Sequence, residues 1–87
     1  MELTISNNRE VAMNLARERW ASKINVLTAK WVDNVLTYLY VSRGGHIYRE
    51  IVNYLTGERK WRWVGKFDGV NYLTRKREIV SDIDELL

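Results

Sequence analysis

Asp68-Gly69 narrows the choice of fold more than any other pair of residues in the chain. It lies between Trp61-Arg62-Trp63-Val64-Gly65-Lys66-Phe67 and Val70-Asn71-Tyr72-Leu73-Thr74, two runs rich in aromatic and β-branched residues. Asp-Gly tolerates positive φ at both central positions of a tight turn, the geometry that matches the twist of two paired strands. The pattern predicts a β-hairpin with a two-residue turn. That register pairs Phe67 with Val70, Lys66 with Asn71, Val64 with Leu73 and Arg62 with Arg75. Trp61 and Trp63 then share a face with Phe67 and Tyr72. Arg62 opposite Arg75 is unfavourable in an empty sheet, and a phosphate lying over the pair would remove the repulsion.

Ahead of the hairpin the apolar residues follow a helical period. Ala12, Leu15, Ala16, Trp20 and Ile24 recur at spacings of three and four behind Asn8, a good N-cap, which predicts a helix from about Asn8 to Ile24. Val32, Val35, Leu36 and Leu39 repeat the pattern behind Thr28 and predict a second helix, although Val35–Val41 is also rich in β-formers. After Arg43-Gly44-Gly45, Ile47, Ile51 and Leu55 are four apart. As a strand they would share a face with Arg49 and Asn53, so a third helix from His46 to Leu55, ended by Gly57, is the expectation. Ile79, Val80, Ile83, Leu86 and Leu87 suggest a short terminal helix over 77–87.

The chain of 87 residues is long enough for one domain, spanning 1–87 with its core over about 8–76. Without cysteine it has neither disulfides nor thiolate-bound zinc, so ten aromatic residues and apolar packing must stabilise a thin core. The first eight residues lack a basic segment followed by an apolar one, and no apolar run approaches the ~18 residues of a membrane span. The expectation is a soluble, intracellular, cytoplasmic protein with no membrane association.

Net charge is +3, and its placement is more informative than its size. Residues 57–78 hold seven cations against three anions, while 79–87 hold three anions and no cation. A local basic patch is an electrostatic footprint of nucleic-acid binding.

The stretch Trp31-Val32-Asp33-Asn34-Val35-Leu36 through Arg43-Gly44-Gly45-His46-Ile47-Tyr48-Arg49-Glu50-Ile51 resembles winged helix-turn-helix sequences, in which a helix ends in Gly-Gly and the next opens with a His-x-Tyr-Arg-Glu-Ile pattern. The resemblance covers about 28–76. It implies an α+β, mostly α fold: three helices, a C-terminal β-hairpin wing and a short terminal helix. It also implies a double-stranded DNA-binding protein, a transcriptional regulator or DNA-organising protein. The recognition element would be the helix from Ile47, or a short segment near Gly57–Trp61.

On that reading Arg49 is a candidate for guanine, Asn53 for adenine, and His46 lies on the same exposed face. Arg62, Lys66 and Arg75 would line the wing, and Arg43, Arg59 and Lys60 would position phosphates. The terminal strip from Ile79 to Leu87 would either pair two copies into a homodimer or pack within one chain.

Two other readings stay open. In the first, the second and third segments are strands. An N-terminal helix then leads into an antiparallel meander with turns at Asp33-Asn34, Arg43-Gly44-Gly45, Gly57 and Asp68-Gly69. Trp61 and Trp63, alternating with Lys60 and Arg62, would bind single-stranded nucleic acid by stacking, unless that face packs on the helices. In the second, the chain is a protein-interaction module or small inhibitor with no DNA role. No nucleophile–base constellation, second histidine, metal-ligand cluster or phosphate loop is present in the sequence. No enzymatic activity, metal or small-molecule cofactor is therefore expected.

Overall fold

A computed structural model describes residues 5–20 and 24–87. One helix, α1 (Ile5–Trp20), precedes six strands: β1 (Asn25–Val32), β2 (Val35–Val41), β3 (His46–Asn53), β4 (Arg59–Phe67), β5 (Tyr72–Thr74) and β6 (Ile79–Val80). A 3-10 turn at Ile83–Leu86 follows. The strands pair in sequence order, each antiparallel to the next, as a single curled meander.

This architecture overturns the winged-helix resemblance. Residues 28–41 and 46–55 form no helices, so there is no helix-turn-helix and no recognition helix. The hairpin at Asp68-Gly69 is the continuation of a sheet and not a wing. The terminal segment is a two-residue strand and a 3-10 turn in place of a helix. The chain has the helix-plus-meander arrangement, with turns at the four places named for it. Asn8 lies inside α1 and does not cap it, and the expected extension through Ala21-Ser22-Lys23 lies outside the described residues.

The helical period misleads because the sheet is covered on both faces. One face carries Ala29 and Trp31 of β1, Leu36, Tyr38 and Tyr40 of β2, and Tyr48, Glu50 and Val52 of β3, as their pairing across the strands requires. α1 lies on β1 and β2 there, and its small Ala12 and Ala16, fully buried, let the backbones approach closely. Leu15, Trp20 and Ile24 pack round the same cluster. The other face carries Thr28, Thr37, Leu39 and Ile47, all buried. Leu36 through Leu39 are therefore buried without interruption, and strict alternation, the usual mark of a strand, is lost.

The turns follow local chemistry. Asp33 (φ 51°) and Asn34 (φ 66°) occupy the two central positions between Val32 and Val35. Positive φ at both is the tight hairpin turn that Asn and Asp tolerate best. At Asp68 the turn is longer than expected. The Asp68 carboxylate accepts from the N–H groups of Val70 and Asn71 at 2.8 and 2.7 Å, so the hairpin closes as Phe67↔Tyr72, Lys66↔Leu73 and Gly65↔Thr74. This capping shifts the register by two residues from the expected one. β5 ends at Thr74, so Arg62 does not face Arg75.

β4 contains a bulge. Tyr48 opposes Trp63, and Ile47 opposes Gly65, leaving Val64 without a partner. The bulge puts Phe67 on the opposite face from Trp61 and Trp63, contrary to the shared face expected. Gly65 is required there, because a Cβ would lie 2.2 Å from the carbonyl oxygen of Leu73.

The C-terminal segment returns beneath the sheet to β1. Thr28 donates its hydroxyl to Asp84 at 2.6 Å, Arg9 of α1 pairs with the same carboxylate, and Arg49 Nη1 reaches the carbonyls of Leu86 and Leu87, each at 3.4 Å. No helix among the described residues is long and apolar enough to cross a membrane.

Candidate nucleic-acid interface

The longest strand has the least cover. Of β4, only Gly65–Phe67 pair with β5, and among the described residues Arg59–Val64 have no outer strand. The N–H of Asn53 donates to the carbonyl of Glu58 at 2.9 Å. The antiparallel alternation then turns the backbone of Lys60 and Arg62 toward β3 and that of Arg59 and Trp61 toward the open edge.

Side chains alternate the other way, between faces. Trp61 and Trp63 stand on the face that α1 covers over β1 and β2 but not over β4. Trp61 is 63% exposed and Trp63 39%. A row of rings supports them. Trp20 meets Tyr40 at 5.9 Å between centroids, Tyr40 stacks on Tyr48 at 5.5 Å, and Tyr48 meets Trp61 edge-on at 5.5 Å. The row climbs from the C-terminal end of α1 to the free strand. Trp63 is held differently, by its indole N–H donating to the Gly65 carbonyl at 2.7 Å. The Arg75 guanidinium lies 5.2 Å from its centroid, a cation–π distance.

A buried carboxylate sets the charge next to this row. Glu50, 1% exposed, accepts from the Tyr38 hydroxyl and from Arg59 Nε at 2.9 Å, and pairs with Arg59 Nη2 at 2.7 Å and Arg19 Nε at 3.4 Å. Tyr38 in turn accepts from the Trp20 indole. Burial, reinforced by the hydrogen bond to Glu50, pushes the Tyr38 phenol up to about 12. Two guanidinium groups on one carboxylate leave a local positive charge beside Trp61, which lies opposite Glu50 on the neighbouring strand.

The nine residues expected to contact DNA fall into three groups. His46, Arg59, Lys66 and Arg75 border the aromatic face: Lys66 lies opposite His46, and the His46 ring is 6.2 Å from Trp63. Arg49, Lys60 and Arg62 lie on the opposite face. Arg43 and Asn53 join neither group. Arg43 is exposed in the turn between β2 and β3, and the Asn53 side chain accepts from the N–H groups of Leu55 and Thr56 at 2.9 and 3.2 Å, capping a turn. Tyr40, Tyr48, Arg19 and Glu50 were not expected at the site. The alternation of Tyr38 and Tyr40 with Thr37 and Leu39 was the signal for them, but only once Val35–Val41 is read as a strand.

No protein-family model, curated protein or solved structure matches this chain. The function of the site therefore rests on its own chemistry. Three hollows line β4. The largest, of about 630 Å³, runs between Trp63 and Val64 and the turn from Thr74 to Glu78. Two smaller ones, of about 210 and 200 Å³, each place a tryptophan beside arginines. Among the described residues no group of three or more His, Cys, Asp or Glu side chains could hold a metal. Exposed rings bordered by cations offer flat apolar surface to a planar group and positive charge to an anion attached to it.

Proposed function

We propose that the open half of β4 binds single-stranded nucleic acid, with bases stacking on Trp61 and Trp63 and phosphates held by Arg59, Lys66 and Arg75. The observation that carries this reading is the pair of exposed tryptophans on an uncovered strand, braced from below by Tyr48 and flanked by guanidinium groups. Isolated apolar side chains on a surface need no explanation, but two tryptophans at i and i+2 among cations form a platform. Stacking on such a platform contributes about 1–3 kcal/mol per base and tolerates any sequence, since every base has a π-face. A duplex hides those faces. The helix that would have entered a major groove is absent, so the duplex reading lacks its element.

The unpaired backbone of Arg59–Val64 favours a second reading, a protein-interaction module in which a partner adds a strand to β4. Fluorescence anisotropy separates the two. A labelled ten-residue oligothymidylate and a duplex of equal length are titrated at several salt concentrations. Preference for the single strand, with Trp61→Ala weakening it by roughly 5- to 150-fold, is the expected result. Equal or tighter duplex binding, or no binding at low salt, overturns the proposal, and the latter leaves the protein-interaction module.

A further inference from the structure

The cations on the opposite face of β4 are not accounted for by the aromatic platform. Arg49 and Arg62 are directly opposite each other on β3 and β4, and Lys60 lies two residues before Arg62 on the same side. Like charges directly opposite in a sheet are destabilising. Among the described residues neither arginine pairs with an Asp or Glu side chain within 4.0 Å, whereas Arg9, Arg19 and Arg59 each do, and Lys60 lies 3.7 Å from Glu58. Arg49 is further fixed in place by two backbone carbonyls beneath the sheet. The fold therefore keeps two guanidinium groups side by side without an ion-paired carboxylate side chain, and Glu85 lines one of the hollows beside them.

The hollows show where a ligand would reach this pair. One is lined by Arg49, Lys60 and Arg62 together with Trp61. The other is lined by Arg49, Arg62, Trp63 and Arg75, and also by Val64, Glu85 and Leu86. The first joins the cationic face to the aromatic face around the open edge of β4, and the second lies between the bulge at Val64 and the C-terminal segment. Lys60 and Arg62 are about 6.6–6.8 Å apart along the strand, the same step that separates Trp61 from Trp63 on the other side.

We infer that Arg49, Arg62 and Lys60 form a phosphodiester site, and that a bound single strand crosses the open edge of β4, with bases on the tryptophans and backbone phosphates on the far side. This rests on the aromatic-platform reading and adds a second binding surface to it. A strand of two or three nucleotides fills the platform alone, and a longer one also reaches the arginine pair. Arg62 and Lys60 would contribute to affinity through counterion release, which salt reports, and not through stacking, which tryptophan emission reports.

The test compares the protein with a Lys60→Gln, Arg62→Gln double variant. Both are titrated with oligothymidylates of three and ten residues over a range of salt, following anisotropy and tryptophan quenching together. Each phosphate of a single strand that the protein no longer neutralises lowers the slope of log K against log salt by about 0.7. The expected result is a slope lower by about 1.4 for the ten-residue strand, no change for the three-residue strand, and unaltered quenching at saturation. An unchanged slope with normal quenching overturns the phosphate site and leaves the platform intact. If the unmodified protein shows no quenching with either strand, the platform reading itself fails. The arginine pair is then judged by the Nε–H resonances of Arg49 and Arg62 in a titration with inorganic pyrophosphate. Saturable shifts retain the anion site, and their absence overturns it.

Discussion

Arg49 and Arg62 face each other across β3 and β4, two like charges at directly opposed positions, neither ion-paired with an Asp or Glu side chain among the described residues. In the free protein this arrangement costs stability. Reversing one charge converts repulsion into attraction, and cross-strand charge pairs are each worth about 0.2–1 kcal/mol. Arg62→Glu is therefore expected to raise Tm by roughly 1–8 °C while weakening binding of a ten-residue oligothymidylate. Calorimetry and anisotropy on one preparation check both halves. A fall in Tm would show that the pair is not strained in the free protein.

Glu50 is the opposite case, a buried charge whose partners depend on it. Its carboxylate joins Tyr38 of β2, Arg59 of β4 and Arg19 of α1. Glu50→Ala leaves Arg19 largely buried without a counter-charge, and it releases Arg59 from its place beside Trp61. Removing one partner of a buried pair costs several kcal/mol. Because the Arg59 side chain is 51% exposed, a loss of about 3 kcal/mol is expected, and Glu50→Gln, which keeps an acceptor for Arg59, should lose less. Urea unfolding of the two variants checks the order. Equal losses would mean that the neutral acceptor kept by Gln recovers nothing and that the charge carries the whole effect.

Tyr38 makes the fold sensitive to alkali. Its phenol is raised in the folded state from 10.0 to about 12, by burial and by its hydrogen bond to Glu50. The unfolded chain thus loses this proton first as pH rises. The contribution of Tyr38 is fully present below pH 10 and is lost between pH 10 and 12, an effect of about 2–3 kcal/mol. Urea unfolding at pH 9 and pH 11 should differ by about 1.4 kcal/mol, roughly half of the full effect because pH 11 lies midway. Tyr38→Phe should start from lower stability at pH 9, without the bond to Glu50, and show a smaller drop between the two.

The parts of the fold legible in the sequence are those set by local chemistry or by one-sided burial. Ala12, Leu15, Ala16 and Trp20 mark a helix because its other side is wet. Asp68-Gly69 marks a hairpin because few residues accept that backbone. Val35–Val41 and His46–Asn53 mislead because both of their faces are covered. Leu36 and Tyr38 pack on the helix side while Thr37 and Leu39 pack on the other, so no polar face remains to show a period of two. Arg49 and Asn53 argue against a strand through Ile47 and Ile51. The structure accommodates both, one on backbone carbonyls and one as a turn cap. The bulge at Val64 and the capped turn at Asp68 shift the register in ways that strand-forming preference alone does not reveal. At the site, the cations of β4 and both tryptophans are legible in the sequence. Tyr48 and Glu50, which brace and charge the platform from neighbouring strands, depend on pairing that only the sheet discloses.

The central claim is that Trp61 and Trp63, and not the other two tryptophans, meet the ligand. Four indole N–H resonances report on it in one nitrogen–proton correlation spectrum, titrated with a ten-residue oligothymidylate. Trp20 packs against the core with its indole on Tyr38, and Trp31 packs edge-on against Tyr54 at 5.2 Å, so their resonances should stay in place. Those of Trp61 and Trp63 should shift together and saturate, and Trp61→Ala should weaken the response of Trp63. Shifts confined to Trp20 or Trp31, or four unmoved resonances at low salt, would contradict the account.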